Sequence, residues 1–123
     1  MIVVDASAVL EILSLSAMGQ ELSSVLVGVE IHAPHLIDLE VFQTLRRWTL
    51  KGTVSPADAD EMIRKFRALK IIRHPHTPLL DDIWALRHNL TAYDASSYLA
   101  LARALDAEVL TMDSGLRKMA TRH

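Results

Sequence analysis

The chain has no cysteine, which excludes disulfides, thiol nucleophiles and zinc–thiolate centres. Its four glycines are scattered, so there is no glycine-rich loop to cradle a nucleotide phosphate and no G-x-S-x-G elbow. Aromatic residues are scarce, with two each of Trp, Tyr and Phe. Trp48 and Trp84 fall in helical apolar stripes and read as core side chains, not base-stacking platforms. No run approaches the roughly 18 apolar residues that span a bilayer. The N-terminus runs straight into Ile2-Val3-Val4-Asp5 without a basic segment, so no signal peptide is expected. These absences predict a cytoplasmic protein with no membrane partner.

What is present suits one folded domain, residues 1–123. Half the residues are apolar and 23% are charged, ordinary values for a globular chain. The net charge of −2 argues weakly against a nucleic-acid partner. The distribution softens that objection, because four acids neutralised by a bound metal would leave the rest of the surface basic on balance. Candidates for a phosphate-facing patch are Arg46, Arg47, Lys51, Arg64, Lys65, Arg67, Arg117, Lys118 and Arg122. For each, a solvated helix face is the simpler reading.

Four short apolar or β-branched runs predict strands: residues 2–5, 31–33, 70–73 and 108–111. Between them lie helical patterns. Val9, Leu10, Ile12 and Leu13 follow the first run, and a second helix spans about Ala17 to Val27 before Gly28. A long helix from His35 to Lys51 carries the stripe Ile37, Val41, Leu45 and Trp48, with Gly52 at its end. Glu40 falls at the edge of that stripe and can face a cleft, with Arg47 nearly in line two turns on. Ser55-Pro56-Ala57-Asp58 has the form of a helix start, and Thr77-Pro78 opens another helix in the same way. Further helices run from Thr91 to Leu105 and from Asp113 to near Arg122. Strands separated by helices imply an α/β fold, a parallel sheet with helices on both faces.

Asp5 closes the first strand and Asp113 the last. Ligands of such sheets bind at the carboxyl ends of the strands. Glu40 and Asp94 sit in helices between them. Each acid has a plain structural role open to it: Asp5 and Asp113 as helix caps, Thr91 to Asp94 as a capping box, Glu40 as a surface residue. Their conjunction points further. Converging carboxylates repel, and a fold tolerates them mainly around a cation. Oxygen donors of this kind suit Mg²⁺ or Mn²⁺ better than Zn²⁺, and the commonest chemistry of such a site is on phosphate esters. The histidine alternative, His74-Pro75-His76 joined by His32 or His35, lacks a spaced pair on a helix face.

The blocks Val3-Val4-Asp5-Ala6-Ser7-Ala8, Ala33 to Val41, Leu90-Thr91-Ala92-Tyr93-Asp94-Ala95 through Ala102, and Leu110-Thr111-Met112-Asp113 resemble PIN-domain ribonucleases of the VapC type, the toxins of type II toxin–antitoxin systems. The likeness covers nearly the whole chain. It implies a PIN-like three-layer α/β/α sandwich whose short parallel sheet has four strands, or five if the family's last edge strand is present; the chain stops at Thr121-Arg122-His123, where that strand would follow. It implies that Asp5, Glu40, Asp94 and Asp113 bind Mg²⁺ or Mn²⁺, with Ser7 and Thr111 as hydrogen-bonding support. Asp38 lies near Glu40, but only Glu40 fits the motif. The implied reaction is metal-dependent endonucleolytic hydrolysis of RNA, leaving 5′-phosphate and 3′-hydroxyl ends. The implied partners are a VapB-type antitoxin, which would present Arg or Lys to the carboxylates, and a second copy of the chain, through helical surfaces such as residues 56–69. A PIN nuclease of RNA processing that has no antitoxin is the main rival. A receiver-like signalling domain would need an acidic pair after the first strand and a late lysine on a strand, and the chain has neither.

Overall fold

A computed structural model describes residues 1–121, with the side chains of Asp94, Ala95, Lys118, Ala120 and Thr121 outside the described residues. Four strands form one sheet: β1 (Ile2–Val4), β2 (Ile31–Pro34), β3 (Ile71–His74) and β4 (Glu108–Leu110), all parallel, in the order β3-β2-β1-β4. Among the described residues there is no fifth strand. Val3 and Val4 point to opposite faces of β1 and both are wholly buried, so helices cover both sides of the sheet.

After β1 the chain forms α1 (Ala6–Leu13) and α2 (Ala17–Val25), a tight helical pair. A Cβ on Gly19 would come within 2.2 Å of the Glu11 carbonyl oxygen, so only glycine permits this approach. After β2 come α3 (Leu36–Leu50) and α4 (Pro56–Ala68). Gly52, at φ +74°, turns the chain out of α3, and the Ser55 side chain caps α4 by accepting from the Asp58 N–H at 3.1 Å. The expected stripe of α3 is observed: Ile37, Val41 and Leu45 are buried, and Trp48 packs against the core.

After β3 a short 3₁₀ turn (Thr77–Leu79) leads into α5 (Leu80–Ala85). Here the expectation for Trp84 is wrong, since it is 68% exposed. Leu79, Ile83 and Leu86 make the buried face of this short segment. Trp84, one residue past Ile83, is rotated about 100° away from that face, and its ring stacks under the Arg87 guanidinium at 4.7 Å.

The helix expected from Thr91 also begins differently. Residues Ala92–Ser96 form a π turn, with the Ser96 N–H donating to the Thr91 carbonyl at 3.1 Å, and α6 (Ser97–Leu105) follows. Such turns are frequent at functional sites. Helix α7 (Ser114–Thr121) follows β4. Helix α6 packs on β1, β2 and β4 with α5 and α7 beside it, while α1 to α4 pack on one another. The chain therefore adds β2 and β3 outward from one side of β1, then returns to place β4 on the other. The reversal leaves a crevice at the carboxyl ends of β1 and β4.

Candidate active site

Asp5 is the first residue after β1 and caps α1. Its Oδ1 accepts from the Ala8 N–H at 2.9 Å and from the Ser7 hydroxyl at 2.7 Å, and its Oδ2 accepts from the Thr111 hydroxyl. The two hydroxyls are themselves held from the β4 side. The Met112 N–H donates to Ser7 Oγ and the Asp113 N–H to Thr111 Oγ1, both at 2.9 Å. Ser7 and Thr111 thus clip the β1–α1 turn to the β4–α7 turn around one carboxylate. The Arg117 guanidinium steadies the same turn by donating to the Thr111 carbonyl at 2.8 Å.

Asp5 is only 5% exposed. Burial lifts its carboxyl above the ordinary value; the three hydrogen bonds pull the other way, and the nearby Asp113 charge adds a smaller lift. Asp113 caps α7, its Oδ1 accepting from the Leu116 N–H at 2.9 Å. Neither Asp5 nor Asp113 makes an ion pair among the described residues.

Glu40, on α3, completes the arrangement. A cavity of about 100 Å³ is lined by Asp5, Ala6, Ser7, Glu40, Tyr98, Asp113 and Leu116. Three of the four acids singled out by sequence therefore share one cavity. The fourth, Asp94, lies in the π turn leading into α6, and its side chain is outside the described residues. Tyr98 was not foreseen. It is 1% exposed, and its hydroxyl donates to Glu40 Oε1 at 2.5 Å. Burial, then the Glu40 carboxylate, push its phenol well above the usual value, so it donates as a neutral hydroxyl. Its place four residues after Asp94 on a helical segment was the available signal.

Among the described residues, no three acidic or histidine side chains stand close enough to hold a metal ion by themselves. The donor set nevertheless fits a hard divalent cation. Mg²⁺ keeps several waters and takes only one or two carboxylates directly, and the cavity has room for an ion with part of its water shell. The histidine alternative does not assemble. His32 and His74 are spent on each other at 2.7 Å, and His32 also meets Glu30 at 2.6 Å.

Among the described residues, the basic candidates do not converge on this cavity. Arg46 lines a different one, Arg64 pairs with Glu61, and Arg47 is exposed on α3. Among the described candidates, only Arg117 is tied to the acidic loops. Lys118 and Arg122 fall outside the described side chains.

A family model described as PIN domain matches residues 2–122. Ribonuclease VapC1 of Mycobacterium tuberculosis is 43% identical over 116 residues, covering 93% of this chain and 86% of the relative. VapC ribonuclease Mb0985 of Mycobacterium bovis is 40% identical over 113 residues, covering 92% and 86%. Among solved structures, PAE2754 from Pyrobaculum aerophilum matches with a TM-score of 0.70 over 98% of this chain and 87% of its own, at 20% identity, a likeness of fold alone.

Proposed function

The chain belongs to the PIN-domain family, and from that membership we propose that it is a metal-dependent endoribonuclease, the toxin of a toxin–antitoxin pair, acting as a single domain. The observation that carries this reading is the cavity into which Asp5, Glu40 and Asp113 converge from three separate segments at the switch of strand order.

Asp5, Glu40, Asp94 and Asp113 would hold Mg²⁺ or Mn²⁺. A divalent cation held there supplies charge neutralisation at the phosphoryl oxygens and activation of the attacking water. The protein's own residues do the positioning. Ser7, Thr111 and the Ala8 N–H fix the Asp5 carboxylate in one orientation. Their three hydrogen bonds favour its charged form, offsetting part of the cost of burying it. The Asp113 cap keeps that carboxylate at the start of α7, and Arg117 keeps the β4–α7 turn in place. Packing around Leu116 and Tyr98 walls the cavity, restricting bulk water around the scissile phosphate.

Partners follow the same reading. An antitoxin would offer Arg or Lys to the carboxylates. A second copy fits a cleft of about 590 Å³ between α3 and α4, where Leu39, Phe42, Leu50 and Ile63 present an apolar wall. Leu39, Phe42 and Leu50 are exposed, and so contiguous an apolar surface suits an interface. No helix among the described residues is long and apolar enough to cross a membrane, and we place the protein in the cytoplasm.

The test is cleavage of labelled structured RNA by purified, antitoxin-free protein with Mg²⁺ or Mn²⁺, alongside chelator and Asp94→Asn controls. Cleavage is expected from the wild type alone, lost in chelator and leaving 5′-phosphate ends. Equal cleavage by the variant would point to a contaminant and defeat the reading.

A further inference from the structure

We propose that Tyr98 is a positioning residue of the acidic site, its hydroxyl holding the Glu40 carboxylate in the cavity wall so that Glu40 meets the same divalent cation as Asp5. The inference rests on the metal-dependent reading above and deepens it.

A phenol that is 1% exposed must find an acceptor or forfeit its hydrogen bond. The acceptor here is no backbone carbonyl of the core. It is a carboxylate 58 residues earlier in the chain, on a different helix, and both residues line the acidic cavity. The bond is short and charge-assisted. Phenylalanine would fill the ring's space equally well, so packing alone does not account for the hydroxyl.

The hydroxyl meets a specific need. Glu40 sits at the half-buried edge of α3, on a side chain with three rotatable bonds. The Tyr98 hydroxyl fixes one of its carboxylate oxygens at the cavity wall. The bond from Tyr98 selects the cavity before any ion arrives, which is how outer partners of metal ligands commonly act. The same segment carries Asp94 in the π turn four residues before Tyr98. The Tyr98–Glu40 bond therefore links the segment that carries Asp94 to the helix that carries Glu40.

Full-length wild type, Tyr98→Phe, Glu40→Gln and the double variant would each be titrated with Mn²⁺ by calorimetry, with melting curves recorded in parallel. Tyr98→Phe should fold and bind Mn²⁺ about 10–100-fold more weakly. In the Glu40→Gln background the same substitution should cause no further loss, because Tyr98 acts through Glu40. Wild-type affinity in Tyr98→Phe, or losses that simply add, would overturn the proposal. A wild type that binds no Mn²⁺ would instead overturn the cation site itself, and this inference with it. A second measurement does not depend on the Tyr98 variant folding. The chain has two tyrosines, so carbon-13 labelling of the phenol carbon gives two resonances. Mg²⁺ should shift the Tyr98 signal in the wild type and leave it unmoved in Glu40→Gln; no shift in the wild type would refute the contact's role.

Discussion

The two sides of the sheet treat buried polar groups in opposite ways. Between β2 and β3 the fold satisfies its own groups. His32, only 5% exposed, bridges Glu30 and His74. Nearby, Arg73 grips both Asp38 oxygens at 2.7–3.0 Å while donating to the Ile71 carbonyl and lying 5.7 Å from the centre of the Phe66 ring. His32 and Arg73 there each have an acidic partner, Glu30 and Asp38. Between β1 and β4, Asp5 receives only neutral donors among the described residues, and its neighbour Asp113 carries the same charge. One sheet of three- and four-residue strands thus has a half whose buried groups pair with one another and a half whose buried Asp5 meets no counter-charge among the described residues. Proteins of this size can seldom leave a buried carboxylate without a counter-charge unless function requires it. The contrast, more than the number of acids, supports the proposal that the β1–β4 crevice is the working end.

That contrast can be broken from the self-contained side. His32→Ala removes a buried ring and leaves Glu30 and His74 without their shared partner. Urea unfolding should show a loss of about 2–4 kcal/mol, with Mn²⁺ affinity unchanged in the folded fraction. An equal fall in Mn²⁺ affinity would mean that the two halves are coupled and the comparison is false.

A gentler probe is pH. Burial, then the charges of His32 and His35, lower the pKa of His74 in the folded state. The unfolded chain therefore takes up that proton first. Stability contributed by this group is fully present above the unfolded value of about 6.5 and declines as pH falls through it, levelling off only once the folded form is protonated too. The melting temperature should drop between about pH 7.5 and 5.5, and drop less in His74→Gln. Identical pH profiles for the two proteins would remove His74 from the account.

Much of this was legible in the chain. The strands announced themselves as β-branched runs, Ser55-Pro56 as a helix start, and Asp5 and Asp113 as acids at strand ends, because each signal is local. What escaped depends on geometry that no local pattern carries. Trp84 looks apolar in a helical stripe, yet α5 is so short that only Ile83 and its partners reach the core. The π turn at Ala92–Ser96 comes from a single shift in hydrogen bonding that leaves composition unchanged. The Tyr98–Glu40 bond joins positions 58 residues apart, which only the folded packing of α6 against its neighbours brings together. His32 and His74, histidines that sequence offers for a metal site, instead form a hydrogen-bonded clip between adjacent strands, in the register that sets Pro34 beside His74.

The most direct measurement of the central claim is the melting temperature of the wild type and Asp5→Asn, each with chelator and with Mn²⁺. The substituted side chain keeps an amide oxygen for the Ala8 N–H while losing the buried charge. Without metal, the variant should therefore be at least as stable as the wild type. Saturating Mn²⁺ should raise the wild type alone, by about 2.7 kcal/mol at roughly one hundred times its dissociation constant. A variant clearly less stable in chelator, together with a wild type that Mn²⁺ does not move, would show that Asp5 is a structural cap and that the crevice is no cation site.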